Sequence, residues 1–169
     1  MTRRKTKYIL QTIAGKICEI VLPVRLSYEM GNGKTLAICT LSDLCLLSEI
    51  ISCKDIMHKI FLVGRLLSEN RGIDNILETI YNYPQLKYLI LCGKDVKGHL
   101  PGQALISLHN FGTRNDGHII GARGNNPTLR STKEEILYFR NNIEIIDLIG
   151  SRDIYQLKLL IDKLIGEQK

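Results

Sequence analysis

The chain has 169 residues, enough for one domain around a single substantial core. Its 44% hydrophobic and 24% charged residues are ordinary for a soluble globular protein, and no apolar run approaches the roughly 20 residues of a bilayer span. The net charge of +6 suits an acidic partner, but the tyrosines are scattered and build no stacking platform, which argues against nucleic acid.

Part of the charge lies in Arg3, Arg4, Lys5 and Lys7. No apolar core follows this run, so it does not read as a signal peptide, and the expected location is the cytoplasm. The five cysteines are odd in number and form no C-x-x-C pair. They read as reduced thiols, with Cys39 and Cys92 serving as small apolar residues in core strands.

Residues 1–34 read as a peripheral segment. Tyr8 to Leu22 fits a helix or a strand, and Gly31-Asn32-Gly33 signals a turn. Leu36 to Thr40 is a predicted strand, and Ser42 or Asp43 is placed to cap a following helix. Ile60 to Gly64 is a second short strand, followed by the polar loop Arg65 to Gly72. Ile73, Ile76, Leu77 and Ile80 then recur at helical spacing, and Pro84 closes the unit. Tyr88 to Cys92 is a continuous apolar run, as expected of a strand buried on both faces, and Gly93 ends it.

Ala104, Leu105, Leu108 and Phe111 predict a helix with Pro101 in its first turn and Gly112 past its end. His118 to Gly121 is a predicted short strand. The loop Gly121-Ala122-Arg123-Gly124 after it offers backbone N–H groups to phosphate but lacks the spacing of a nucleotide fingerprint. Thr132 and Glu135 form a capping box for a helix to about Arg140, and Ile143 to Ile149 reads as another buried strand. Ser151 or Asp153 caps a last helix whose stripe is Ile154, Leu157, Ile161, Leu164 and Ile165. This alternation predicts an α/β fold: a Rossmann-like three-layer sandwich with a mostly parallel central sheet over residues 35–169.

The loop between the central strand and the Pro101 helix holds His99, flanked by Gly98 and Leu100-Pro101-Gly102. It lies at the carboxyl end of a parallel strand, where open α/β sheets bind ligands. The small neighbours admit a flat ligand, and the positive end of the helix disfavours a cation there, leaving the neutral imidazole that ligates metals. Asp95 is a candidate to accept a hydrogen bond from the other ring nitrogen. By spacing alone, a lone histidine that caps the helix or faces solvent is the plainer reading.

The stretch ILCGKDVKGHLPGQALISLH, at Ile90 to His109, closely resembles the cobalamin-binding A subunit of tetrahydromethanopterin S-methyltransferase from methanogenic archaea. Four further stretches are similar in the same order: Thr35 to Asp43, Gly64 to Ile76, Ile119 to Pro127 and Phe139 to Gly150. The resemblance implies a cytoplasmic corrinoid carrier for methyl transfer, with His99 as the axial ligand of the cobalt of a cobalamin. Implied contacts come from Thr40, Leu41 and Ser42; Gly64, Glu69 and Asn70; Gly93, Asp95, Gly98, His99, Leu100, Gly102 and Gln103; and Gly121, Ala122, Gly124 and Pro127. Its implied partners are methyl-donor and methyl-acceptor methyltransferase proteins, so turnover by this chain alone is not expected. The family's membrane-bound form has a C-terminal transmembrane helix that this sequence lacks, so membrane insertion and sodium pumping are not carried over.

Two alternatives stand beside this reading. A dinucleotide enzyme would place G-x-G-x-x-G after the first strand, but Cys39-Thr40-Leu41-Ser42 contains no glycine. An interaction or regulatory module that no longer carries a methyl group is opposed by the intact G-H-x-x-G-Q core.

Overall fold

The computed structural model describes residues 28–166. The N-terminal basic run, the Tyr8 to Leu22 segment and Cys18 lie outside them. The chain is a mixed α/β fold around five strands: β1 (Tyr28–Met30), β2 (Leu36–Cys39), β3 (Leu62–Gly64), β4 (Tyr88–Gly93) and β5 (Glu144–Ile149). They pair in the order β1-β3-β2-β4-β5, with only β1 antiparallel. The chain bends at Gly31-Asn32-Gly33, where a turn was expected, and before it β1 hydrogen-bonds along β3 as an exposed sheet edge.

The helices are α1 (Leu44–Ser52), α2 (Lys54–Lys59), α3 (Arg71–Asn82), α4 (Pro101–Phe111), α5 (Lys133–Asn142) and α6 (Ile154–Gly166). Their starts follow from local chemistry. Asp43, rather than Ser42, caps α1 by accepting from the Leu46 amide at 3.0 Å. Asp153 caps α6 by accepting from Tyr155 and Gln156. The Thr132–Glu135 capping box of α5 is complete.

Alternation along the central strands separates two apolar clusters. Ala37, Cys39, Leu89 and Leu91 pack with Ile73 and Leu77 of α3, Leu105 and Leu108 of α4 and Phe139 of α5. Leu36, Ile38, Ile90 and Cys92 pack with Leu47 and Ile50 of α1 and with Leu157 and Ile161 of α6.

Two expectations need correction. The segment at His118 to Gly121 is not a strand of the sheet. It makes isolated antiparallel bridges to Thr113 and Thr128, and only Ile119 is buried among the core side chains. Four residues with two apolar side chains are too short to specify a sheet neighbour. The strand β5 forms, but it is not buried: it is an edge, paired only to β4, and Glu144 and Asp147 are exposed. Its isoleucines and leucine divide between the two clusters, which explains an apolar run at a half-open position.

Candidate functional site at the carboxyl ends of the strands

Strands β2 and β4 are neighbours, yet their following helices lie on opposite faces: α1 with the Ile38 cluster, α4 with the Leu91 cluster. Loops that part in this way mark the topological switch point of an open sheet. Here the two loops are also stitched together. Ser42 donates to the Lys94 carbonyl from its backbone N–H at 3.1 Å and from Oγ at 2.6 Å. Gly93, at φ +72°, sits so close that a Cβ there would lie 2.8 Å from the Thr40 carbonyl. Thr40 and Leu41 are fully buried, and Thr40 donates to the Gly64 carbonyl from its backbone N–H and from Oγ1. These members of the predicted contact set hold the base of the site together.

His99 stands on the open side of this base. Its side chain is 52% exposed, and its Nδ1 lies 2.9 Å from Oε2 of Glu69, whose own side chain is 1% exposed. The other Glu69 oxygen, Oε1, accepts from the Asn126 amide at 2.8 Å. Both carboxylate oxygens are placed to accept, and Nδ1 is the ring nitrogen placed to donate to Glu69. Nε2 has no hydrogen-bond partner among the described residues. One buried carboxylate thus ties together the loop after β3, the loop after β4 and the loop at 121–126. Closeness is tight: a Cβ on Gly124 would fall 2.2 Å from the His99 carbonyl oxygen and 3.0 Å from Glu69 Cγ. Gly98 is at φ +82°, and a Cβ built there would meet only Asn125 Nδ2, at 3.7 Å.

The carboxylate expected at His99 was Asp95, and the structure assigns that place to Glu69. Asp95 instead accepts from the Val96, Gly102 and Gln103 amides at 2.9–3.1 Å. It supplies the cap that Leu100, the residue at the helix boundary, lacks. Leu100 adopts a left-handed backbone at φ +45°, as does Leu41 at φ +54°. Strain of this kind at non-glycine residues is held only where surrounding packing over-determines it. Gly102 lets the start of α4 close on the sheet, since a Cβ there would lie 2.9 Å from both Leu41 Cδ2 and Ile149 Cδ1.

The remaining predicted residues divide by role. Gln103 clamps the 121–126 loop: Nε2 donates to the Gly121 carbonyl at 3.0 Å and Oε1 accepts from the Arg123 amide at 2.9 Å. Ser107 adds a further bond to the same carbonyl. Asn70 caps α3 by accepting from Arg71 N at 2.7 Å. Pro127 is buried and Ala122 is half-buried. Gly64 is buried at the end of β3, paired with Cys39. Asn125 and Asn126 were missed as site residues. Their contribution is a position beside Gly98 and a backbone N–H, and neither leaves a mark in residue type.

Comparison with known proteins places this geometry. The family model for the A subunit of tetrahydromethanopterin S-methyltransferase matches residues 23–169. The chain belongs to this family. The tetrahydromethanopterin S-methyltransferase A subunit of Methanocaldococcus jannaschii is 35% identical over 108 residues, which cover 63% of this chain and 45% of that one. Its counterpart in Methanohalophilus mahii is 35% identical over 104 residues, 61% of this chain and 43% of that one. The A subunit of a putative methyltransferase, Mtx, of Methanosarcina barkeri is 27% identical over 148 residues, 86% of this chain and 71% of that one. The match thus spans a little under half the length of the first two relatives. No helix among the described residues is long and apolar enough to cross a membrane. Among the same residues no three His, Cys, Asp or Glu side chains are grouped to hold a metal ion.

Proposed function

We propose that this member of the family carries a cobalamin-type corrinoid for methyl transfer and ligates its cobalt through Nε2 of His99. The observation that supports this most directly is a half-exposed imidazole whose Nδ1 is held by the buried Glu69 and whose Nε2 has no partner among the described residues. A histidine whose second nitrogen donates to a carboxylate is the arrangement that orients metal-bound imidazoles and raises their basicity. The residues fit the group: the His99 side chain is 52% exposed, and a Cβ on the adjacent Gly98 would meet only Asn125 Nδ2, at 3.7 Å. The bound corrinoid would supply a cobalt centre that accepts a methyl group and gives it up again. The work of this chain is to hold Nε2 unprotonated and aimed outward, through Glu69 and the Asn126 amide. Gly98, Gly124 and Asn125 would border the ring. The fold that supports this is read as a Rossmann-like three-layer sandwich, with loading and unloading catalysed by partner methyltransferase proteins.

The test is electron paramagnetic resonance of the Co(II) form after reconstitution with cobalamin. Axial histidine nitrogen splits the signal, and ¹⁵N-histidine labelling alters the splitting. His99→Ala should abolish it while leaving the fold intact, because His99 is a surface loop residue. His58→Ala and His118→Ala should leave it unchanged. Retention of the labelled-nitrogen splitting in His99→Ala would contradict the assignment. Failure of the unaltered protein to retain cobalamin in equilibrium dialysis would reject the carrier reading itself.

A further inference from the structure

We propose that the rim of this site, formed by Lys94, Lys97 and Arg123, is a docking surface for the acidic face of a methyl-transferring protein, an inference that rests on the carrier reading above. In the loops at this end of the sheet, every carboxylate is engaged within the fold. Glu69 binds His99 and the Asn126 amide, and Asp95 binds three amides of its own loop and helix. Asp43 caps α1 and pairs with Arg152 at 2.9 Å, and Asp153 caps α6. The cations are disposed otherwise. Lys94, Lys97 and Arg123 are exposed, and their side chains have no hydrogen bond or ion pair among the described residues. Lys94 and Lys97 lie upstream of His99 in its own loop. Arg123 lies on the facing loop, next to Gly124, which touches the His99 backbone.

α1, α3, α4 and α6 all begin at this end, directly after β2, β3, β4 and β5, and the caps of α1, α4 and α6 are the carboxylates of Asp43, Asp95 and Asp153. Three exposed cations thus lie on the two loops that meet at the one residue proposed to hold the cofactor, while the carboxylates nearby are turned to partners within the fold. A protein that collects a methyl group must approach that end. An acidic face would be steered there, most strongly at low salt, and would find cations with no ion pair among the described residues.

The test compares the unaltered protein with a rim triple, K94E/K97E/R123E, and with a control triple, K34E/K54E/K87E. The control residues lie before β2, at the start of α2 and before β4, toward the opposite end, and both triples change the net charge equally. The probes are poly-L-glutamate and polyuridylate, read by fluorescence anisotropy across a salt series, with cobalamin retention measured in parallel. The rim triple should weaken poly-L-glutamate binding by about tenfold or more, the control triple should have little effect, and all three proteins should retain cobalamin. Equal weakening by both triples would mean diffuse charge and overturn the proposal. Loss of cobalamin from the rim triple alone would assign the cations to the cofactor and overturn it as well. Tighter binding of polyuridylate than of poly-L-glutamate by the unaltered protein would point to nucleic acid and do the same. If the unaltered protein retains no cobalamin, the carrier reading fails, and the methyl-transferring partner fails with it.

Discussion

At the scale of single residues, Glu69 decides what His99 can do. Its Oε1 is required by the Asn126 amide, so the group facing Nδ1 must be whatever remains. In Glu69→Gln the amide oxygen stays with Asn126 and the NH₂ turns to His99. Nδ1 then becomes the acceptor and the proton moves to Nε2, the atom proposed to bind cobalt. Long-range ¹H–¹⁵N NMR of the cofactor-free protein should show the Nδ1–H tautomer in the original and the Nε2–H tautomer in Glu69→Gln. An unchanged tautomer would break the link between the carboxylate and the ligand. The sequence placed His99 in a loop between a strand and a helix, as the structure does, since strand, glycine and helix signals are local. It pointed to the nearby Asp95 for the partner because closeness along the chain was the only measure available.

At the scale of elements, α4 is the part on which the candidate site is mounted, and its start depends on Asp95 before it and Gly102 within it. Asp95 caps it from outside the helix through the Gly102 and Gln103 amides. Asp95→Ala leaves those donors without their acceptor and should cost about 1–2 kcal/mol in urea unfolding, with Asp95→Asn costing less. Gly102→Ala would ordinarily stabilise a helix. Here the new methyl would meet Leu41, Ile149 and the Asp95 carboxylate at 2.9–3.1 Å. The sign should reverse, to a loss of about 1–3 kcal/mol by overpacking. A stabilised Gly102→Ala would show that the start of α4 is looser than its contacts imply.

At the scale of the whole molecule, the central sheet is dry enough to keep two thiols protonated. Burial pushes Cys39 and Cys92 up from an ordinary 9.0 to about 12. Unfolding returns both to the ordinary value, so between those limits the unfolded chain sheds protons first. Their contribution to stability is therefore full below about pH 9 and is lost as pH climbs toward 12. The urea midpoint should fall more steeply over that range in the original chain than in Cys39→Ala/Cys92→Ala. Equal slopes would place the alkaline loss elsewhere. A thiol reagent at neutral pH should label the exposed Cys45 in the native state and reach Cys39 and Cys92 only on unfolding.

Much of this molecule was legible from residue order because the deciding interactions are short in sequence. Apolar spacing marked α3, α4 and α6, the Thr132–Glu135 box marked α5, and the Tyr88–Cys92 run marked β4, each settled within about four neighbours. What the tertiary structure decided depends on groups far apart in the chain. Residues 30 positions apart form the Glu69–His99 pair, and the pairing order alone makes β5 an edge rather than a buried strand. The segment at 118–121 is held against α4 by Gln103 and Ser107 instead of joining the sheet. Side chains at these places are chosen for contacts that exist only once the helices have packed, and no local period records them.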